Sequence, residues 1–339
     1  MLVIWLRDCK GPIETRAVGA LTSMEEVVTS GRNKSSFEPL SKVEVDGVEK
    51  FVSFIGFSRS GHSFVGAMMD AHPNVVIAHE YYVLRKCLPQ KQPQLQSKAA
   101  LFNALYKNSY SQSQDGWRSE SKSKKDAKKS VQRRGYNLHI NTKWQGSFSQ
   151  LRVIGDKGAG SLSDSFFQNP RSTTECFNLL KETVKVPVVL LHVVRNPFDM
   201  IATRLALRHD VWNTRKMVEK GKKVKLRRKE IQEHATHVFR KAEAISEAIN
   251  SDAMKDVTVV EIHIESFIKN PGEHINKVCE ALGIPCPVEY VEACTKKTFS
   301  NVSHSRQVID WDDDVVKSIL KRMKNIPFYS SYTFDIEHI

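Results

Sequence analysis

No apolar run among the 339 residues approaches the ~20 that a membrane-spanning helix requires. The opening MLVIW is too short for the core of a signal peptide, and Arg7 and Asp8 interrupt it. As written, the chain reads as soluble and untargeted, with a cytoplasmic location if it is whole. Metal-ligand spacing is missing as well. The six cysteines (Cys9, Cys87, Cys176, Cys279, Cys286 and Cys294) contain no C-x-x-C pair, which favours plain thiols over zinc, and no metal is expected. Cys286 and Cys294 are placed to bridge if the protein matures in an oxidising compartment. There is no internal repeat, zinc finger or aromatic-interleaved basic patch, so nucleic acid is not an expected partner despite a net charge of +13.

That charge is concentrated. Residues 118–134 hold eight Lys/Arg against two acids, and residues 215–229 hold nine against one. The rest of the chain is close to neutral. A solvated surface segment and an electrostatic collar for an anionic partner are both open readings of these runs. Hydrophobic content of 40% and charged content of 26% are ordinary for a soluble protein. The length suits one large α/β domain or two small ones.

Organisation follows from the apolar runs. Residues 1–47 carry weak periodicity and read as an N-terminal extension, with one domain over 48–335. Within it, 108–150 is polar and basic and reads as an exposed insertion. Strands are expected at FVSFIGF (51–57), LRVIG (151–155), VPVVLLHVV (186–194) and VTVVEIHI (257–264). The third is a continuous apolar run, as in a central parallel strand buried on both faces. Between them lie helical stripes: Phe198, Ile201, Ala202 and Leu205, then 230–250, then Ile275–Leu282 ended by Gly283. Alternating strands and helices define an α/β protein with a P-loop-like open parallel sheet and helices on both faces.

The most informative stretch is FVSFIGFSRSGHS, a buried strand entering a tight turn with a helix directly behind it. Gly56 and Gly61 bracket four residues, and the run follows G-x-x-x-x-G-K-[ST] except that His62 stands in place of the lysine. Such a turn aims backbone N–H groups and a helix N-terminus at one point, making an anion cradle. Without the lysine, it is not the usual ATP loop. Arg195 closes the 186–194 strand, and Thr203 follows eight residues later in a helix. Ligands of open α/β sheets bind at the carboxyl ends of strands, so Arg195 should share a crevice with Gly61. The plainer alternative has Arg195 capping a helix and Thr203 packing.

These two segments, SRSGHS and VVRNPFDMIATR, resemble the sulfotransferases that use 3′-phosphoadenosine 5′-phosphosulfate (PAPS). IGFSRSGHSFVGAMMDAHPNVVIAHE is most similar to the tyrosylprotein members. The resemblance implies the sulfotransferase fold, transfer of a sulfuryl group to a hydroxyl of protein tyrosine or carbohydrate, and PAPS as co-substrate. It implies that Ser58, Arg59, Ser60, Gly61, His62 and Ser63 hold the phosphosulfate and that Arg195 and Thr203 hold the 3′-phosphate. Glu80 falls on the base that takes the acceptor proton, with His79 as a competing base. Arg59 and Lys157 fall on groups that stabilise the sulfuryl oxygens. Ser303 and Arg306 resemble a late loop over the cofactor, with Trp311 behind it.

Departures concern the acceptor. His62 replaces a threonine, Tyr82 an arginine and Ile264 a tyrosine of the tyrosylprotein pattern, which leaves a glycan acceptor fully open. The acceptor protein or glycan is expected to be anionic, and a homodimer is not excluded. Many relatives are Golgi proteins with an N-terminal anchor, so the Golgi lumen is the alternative location. Sequons start at Asn33 and Asn301, and a glycan on Asn301 would obstruct the late loop. Two rivals remain: a nucleotide kinase or NTPase, which would need Asp156 to hold Mg²⁺, and a non-catalytic protein that docks anionic glycans.

Overall fold

A computed structural model describes residues 37–87, 96–114, 138–211 and 214–335. The strands are β1 (Lys50–Gly56), β2 (Val75–His79), β3 (Val153–Lys157), β4 (Val188–Val194) and β5 (Thr258–His263). All pair in parallel in the order β2-β3-β1-β4-β5. The helices, in chain order, begin with α1 (Lys42–Asp46), α2 (His62–Met69), α3 (Val83–Cys87) and α4 (Lys98–Gln114). Then come α5 (Ala159–Gln168), α6 (Pro170–Val184), α7 (Pro197–Arg208), α8 (Thr214–Glu219) and α9 (Arg228–Ile249). The last are α10 (Ile264–Lys269), α11 (Pro271–Leu282), α12 (Val288–Lys297) and α13 (Asp313–Met323).

Handedness fixes the layers. The step from β1 to β2 runs one way across the sheet, and every later step runs the other way. Right-handed crossovers therefore put α2 on one face and α4, α5, α6, α7 and α9 on the opposite face. Two apolar cores match this. Phe51, Ile55, Ile154, Leu190 and Val194 belong to the first, with α4 to α7 and α9. Val52, Phe54, Val189 and Leu191 belong to the second, under α2, α11 and α12. β4 alternates between the two cores and is buried throughout, which is why its sequence is apolar without alternation.

Several expectations shift. Leu40 and Val45 lie in the first core, so the folded unit begins before Val48. Residues 108–114 complete α4, where Ser109 is buried and donates to Asp70 at 2.7 Å. On the far side, Leu138, Ile140 and Phe148 are buried. The inserted polar segment is thus narrower than 108–150, and the basic run 118–134 lies outside the described residues. The other run, 215–229, is docked: Val224 bridges to Ile309, Lys223 pairs with Asp310, and Arg228 reaches Asp312 at 3.4 Å and Asp314 at 3.3 Å. The cysteines differ too. Disulfides join Cys87 to Cys176 and Cys279 to Cys286, so the partner of Cys286 is Cys279, on the helix beside it, not Cys294. Cys294 is a buried thiol pushed up to about 12 by desolvation.

β1 and β3 approach closely at Gly155, where a Cβ would meet the Val52 carbonyl oxygen at 2.2 Å. Backbone cannot yield there as a flexible side chain would. Gly155→Ala should therefore destabilise the domain by about 3 kcal/mol through overpacking. A urea midpoint equal to wild type would contradict this packing.

Candidate active site

The loop after β1 is folded tightly by its own backbone. The Ser60 amide donates to the Phe57 carbonyl at 3.2 Å, and Arg59 (φ 80°) and Gly61 (φ 97°) are left-handed. A side chain at position 61 would also place its Cβ 2.7 Å from Ile264 Cγ1, so the site demands glycine twice over. His62 Nδ1 lies 3.0 Å from the Phe57 carbonyl and 3.3 Å from Ser60 Oγ. A carbonyl only accepts, so Nδ1 carries the proton. Burial, then Lys157, pulls this imidazole down to about 3, and it stays neutral. The first turn of α2 is closed by the Phe64 amide, which donates to the Gly61 carbonyl at 2.9 Å, so the amides of His62 and Ser63 precede the first intrahelical bond.

Next to this loop stand the ends of β2 and β3. Lys157 is fully buried, and its Nζ donates to Glu80 Oε1 at 2.7 Å and to Ser63 Oγ at 3.0 Å. Glu80 reaches it from an unusual backbone, with φ 59° at Glu80 and φ 60° at Tyr82. Asp156 holds that turn: its two oxygens accept the Tyr81 amide at 3.1 Å and the Val83 amide at 2.9 Å. Desolvation raises Asp156 to about 6 even so. Both carboxylate oxygens thus accept backbone amides, so Asp156 has a structural task in the turn that carries Glu80. Glu80, not His79, meets the lysine. His79 is buried at the end of β2, and its amide donates to Asn108 at 2.8 Å.

On the other side of β1, Arg195 projects from the end of β4. Its Nη1 donates to the Arg59 carbonyl at 2.9 Å and lies 3.4 Å from Thr203 Oγ1. Nη2 donates to Ser305 Oγ at 3.1 Å and to the Ser303 carbonyl at 3.4 Å. Ser305 Oγ in turn lies 2.8 Å from Thr214 Oγ1 and 3.3 Å from Ser303 Oγ. One guanidinium is ringed by hydroxyls. Ser305 and Thr214 were not foreseen, because nothing in SHSRQ distinguishes one serine from the other until the loop folds back. Asn196 holds the base of this site: it caps α7 at the Phe198 amide, and its own amide donates to Glu265, which is also bonded to Tyr332.

Arg306 behaves differently from expectation. Its guanidinium is buried against Asp199 at 2.8 Å and donates to the carbonyls of Thr333 and Phe334. It anchors the 303–308 segment from below and does not face the crevice. Trp311 donates to the Arg306 carbonyl at 2.8 Å and packs on Phe198. On the Glu80 side of the loop, and not at Arg195, opens a cleft of about 460 Å³, walled by Ser58, Glu80, Tyr82, Arg85, Ser161 and Asp164 among others.

A parallel sheet with a glycine-bracketed loop at its switch point and an arginine–hydroxyl cluster beside it defines a P-loop-like α/β fold. The profile of the sulfotransferase family matches residues 52–288, and the chain belongs to that family. No curated protein matches by sequence. Among solved structures, the chain is similar to a sulfotransferase from Alicyclobacillus acidocaldarius, at 14% identity over 84% of this chain and 94% of that one, with a TM-score of 0.39. A sulfotransferase from Mycobacterium avium gives 10% identity over 88% and 80%, with a TM-score of 0.42. A mouse sulfotransferase complexed with PAP gives 10% identity over 84% and 87%, with a TM-score of 0.39. The family assignment rests on the sequence profile and not on these distant likenesses.

His62 has a measurable consequence. Its folded pKa of about 3 lies below the ordinary 6.5, so the unfolded chain takes up the proton first as pH falls. Stability is complete above pH 6.5 and is lost toward pH 3. From pH 7 to pH 5 this one group costs about 2 kcal/mol. His62→Gln should shrink the pH 7-to-5 loss in urea-unfolding free energy by that amount, and an unaltered pH dependence would refute the buried neutral ring.

Proposed function

We propose that the protein transfers a sulfuryl group from PAPS to a hydroxyl of a protein tyrosine or a carbohydrate. The observation that supports this reading most is the 2.9 Å hydrogen bond from Arg195 to the Arg59 carbonyl, which joins the end of β4 to the loop after β1. A nucleotide with phosphates at both the 5′ and 3′ positions needs two anion sites in adjacency. The loop amides from Ser58 to Ser63, with Arg59, suit the phosphosulfate end. Arg195, Thr203, Ser303 and Ser305 suit the 3′-phosphate, since a guanidinium fork with hydroxyls matches a phosphate's oxygens.

Glu80 is the base of this scheme. It takes the acceptor's proton while Lys157, fixed between Glu80 and Ser63, offers its ammonium protons to the oxygens of the group in transit. PAPS supplies an already activated sulfuryl group, so positioning and charge stabilisation carry the rate. The disulfides Cys87–Cys176 and Cys279–Cys286 support maturation in an oxidising compartment, such as the secretory lumen, over the cytoplasm. Among the described residues, no helix is long and apolar enough to cross a membrane.

Two variants separate the roles. Arg195→Ala should weaken PAP binding about 30- to 100-fold in titration calorimetry without Mg²⁺, the loss of a charged hydrogen-bond pair. Glu80→Gln should lower kcat at least 100-fold with PAP affinity within twofold of wild type. Wild-type protein that ignores PAP but binds Mg-ATP would replace this function with that of a kinase. Full turnover in Glu80→Gln would move the base elsewhere.

A further inference from the structure

Beyond the proposed nucleotide sites, Arg204 stands out among the described residues as an uncompensated cation. Arg204, on α7, is half-buried and makes no hydrogen bond or ion pair with a described residue. A partly buried charge without a partner costs stability, so folded proteins normally pair it. Its surroundings worsen the position. Burial disfavours its charge first, and Arg208, one turn later on the same helix face, and Arg59, from the loop, add repulsion. His234, His237 and Lys241 line one face of α9, which packs on both α5 and α7. Burial and these cations hold both histidines below their ordinary range, so they are neutral at pH 7.

The acids nearby do not balance the cations. Asp164 is the carboxylate that favours the charge on Arg204, yet it is already ion-paired with Lys241. Glu230 is bonded to His209 at 3.1 Å. Asp164 also lines the cleft that holds Glu80, so the excess positive charge borders the acceptor's space.

The lining of that cleft indicates what kind of acceptor enters. Ser58, Ser161, Ser165, Gln168 and Asn169 present hydroxyls and amides, and beside the His62 imidazole Tyr82 supplies the one benzene ring among the lining residues. A phenol ring would be better met by an apolar slot. Hydroxyls and amides match a polyhydroxylated ring.

We infer that Arg204, with Arg208 beside it on α7, is an anion subsite for the acceptor, and that the acceptor is an acidic glycan whose sugar carboxylate docks there while a neighbouring hydroxyl meets Glu80. This deepens the proposed function and rests on it. The unpaired guanidinium is then a group whose counter-ion arrives with the substrate, and its fork suits a carboxylate.

Calorimetry on the full chain saturated with PAP tests the inference. The probes are a heparosan octasaccharide, which carries carboxylates and no sulfate, its carboxyl-reduced form, and an acidic tyrosine peptide. The charged octasaccharide should bind at least tenfold tighter than the reduced one. Arg204→Gln should abolish that difference, leave PAP affinity unchanged, and keep the thermal midpoint at or above wild type. Equal binding of the two octasaccharides overturns the inference, as does no binding of either. Tighter binding of the peptide overturns the glycan assignment, and a lowered midpoint in Arg204→Gln makes the residue structural. If the wild type fails to bind PAP at all, the failure belongs to the proposed function and not to this subsite.

Discussion

β1 and β3 are neighbours in the sheet, yet the chain leaves their carboxyl ends toward opposite faces. Everything functional in the molecule depends on that constraint. A crevice must open where two adjacent strands part their connections, because neither following segment can cross the gap. The loop before α2 fills one side of it, and Lys157, Gly158 and α5 fill the other. β4, next along, delivers Arg195 to the same rim. The residues of the site come from 58–63, 80, 157, 195–203 and 303–305, and no local property of these segments brings them together. The parallel register of four strands brings the first four together.

Holding the site in this form works against local backbone preference. Arg59, Glu80 and Tyr82 all have left-handed backbone without being glycine, at about 1–3 kcal/mol each. Asp156 offsets part of this by tying the amides of Tyr81 and Val83, at the further cost of its own desolvation. Residues flanking Glu80 are thus over-determined while Glu80 itself sits on the cleft wall. That is the distribution expected where geometry, not stability, is what the segment contributes.

How much was legible in the sequence follows the same division. β1, β4 and β5 could be read because long apolar runs between turn residues are rare outside strands. β2 escaped as an element, since VVIAH is short and sits directly behind the α2 helix pattern. The tail of α4 looked like insertion because its buried Ser109 is polar, and only Asp70, 39 positions away, satisfies it. Arg306 shows the limit most directly. Its chemistry fits an anion ligand, and its sequence context fits a lid, but Asp199 and two carbonyls near the C-terminal end of the described chain take four of its five N–H donors. Ser305, unremarkable in sequence, holds the position beside Arg195 instead. Identity of residue type was readable; which member of a polar run turns inward was not.

Lys157 joins these strands of argument. It is fully buried, so its ammonium cannot swing out to solvent, and two partners fix it: Glu80 from the end of β2 and Ser63 from the first turn of α2. The candidate base and the candidate donor loop are therefore each one hydrogen bond from a single nitrogen. A reaction that passes a group in line between acceptor and donor needs its two ends held at near-contact distance with charge compensation between them. A cation with several donors, immobilised at the meeting point of base and loop, meets both needs with one side chain. The same reasoning explains why this lysine stands at the end of β3 and not inside the glycine loop, where His62 takes its place. Under the proposed function, positive charge at position 62 would serve the phosphates alone, whereas at 157 it would lie between the group that leaves and the group that attacks.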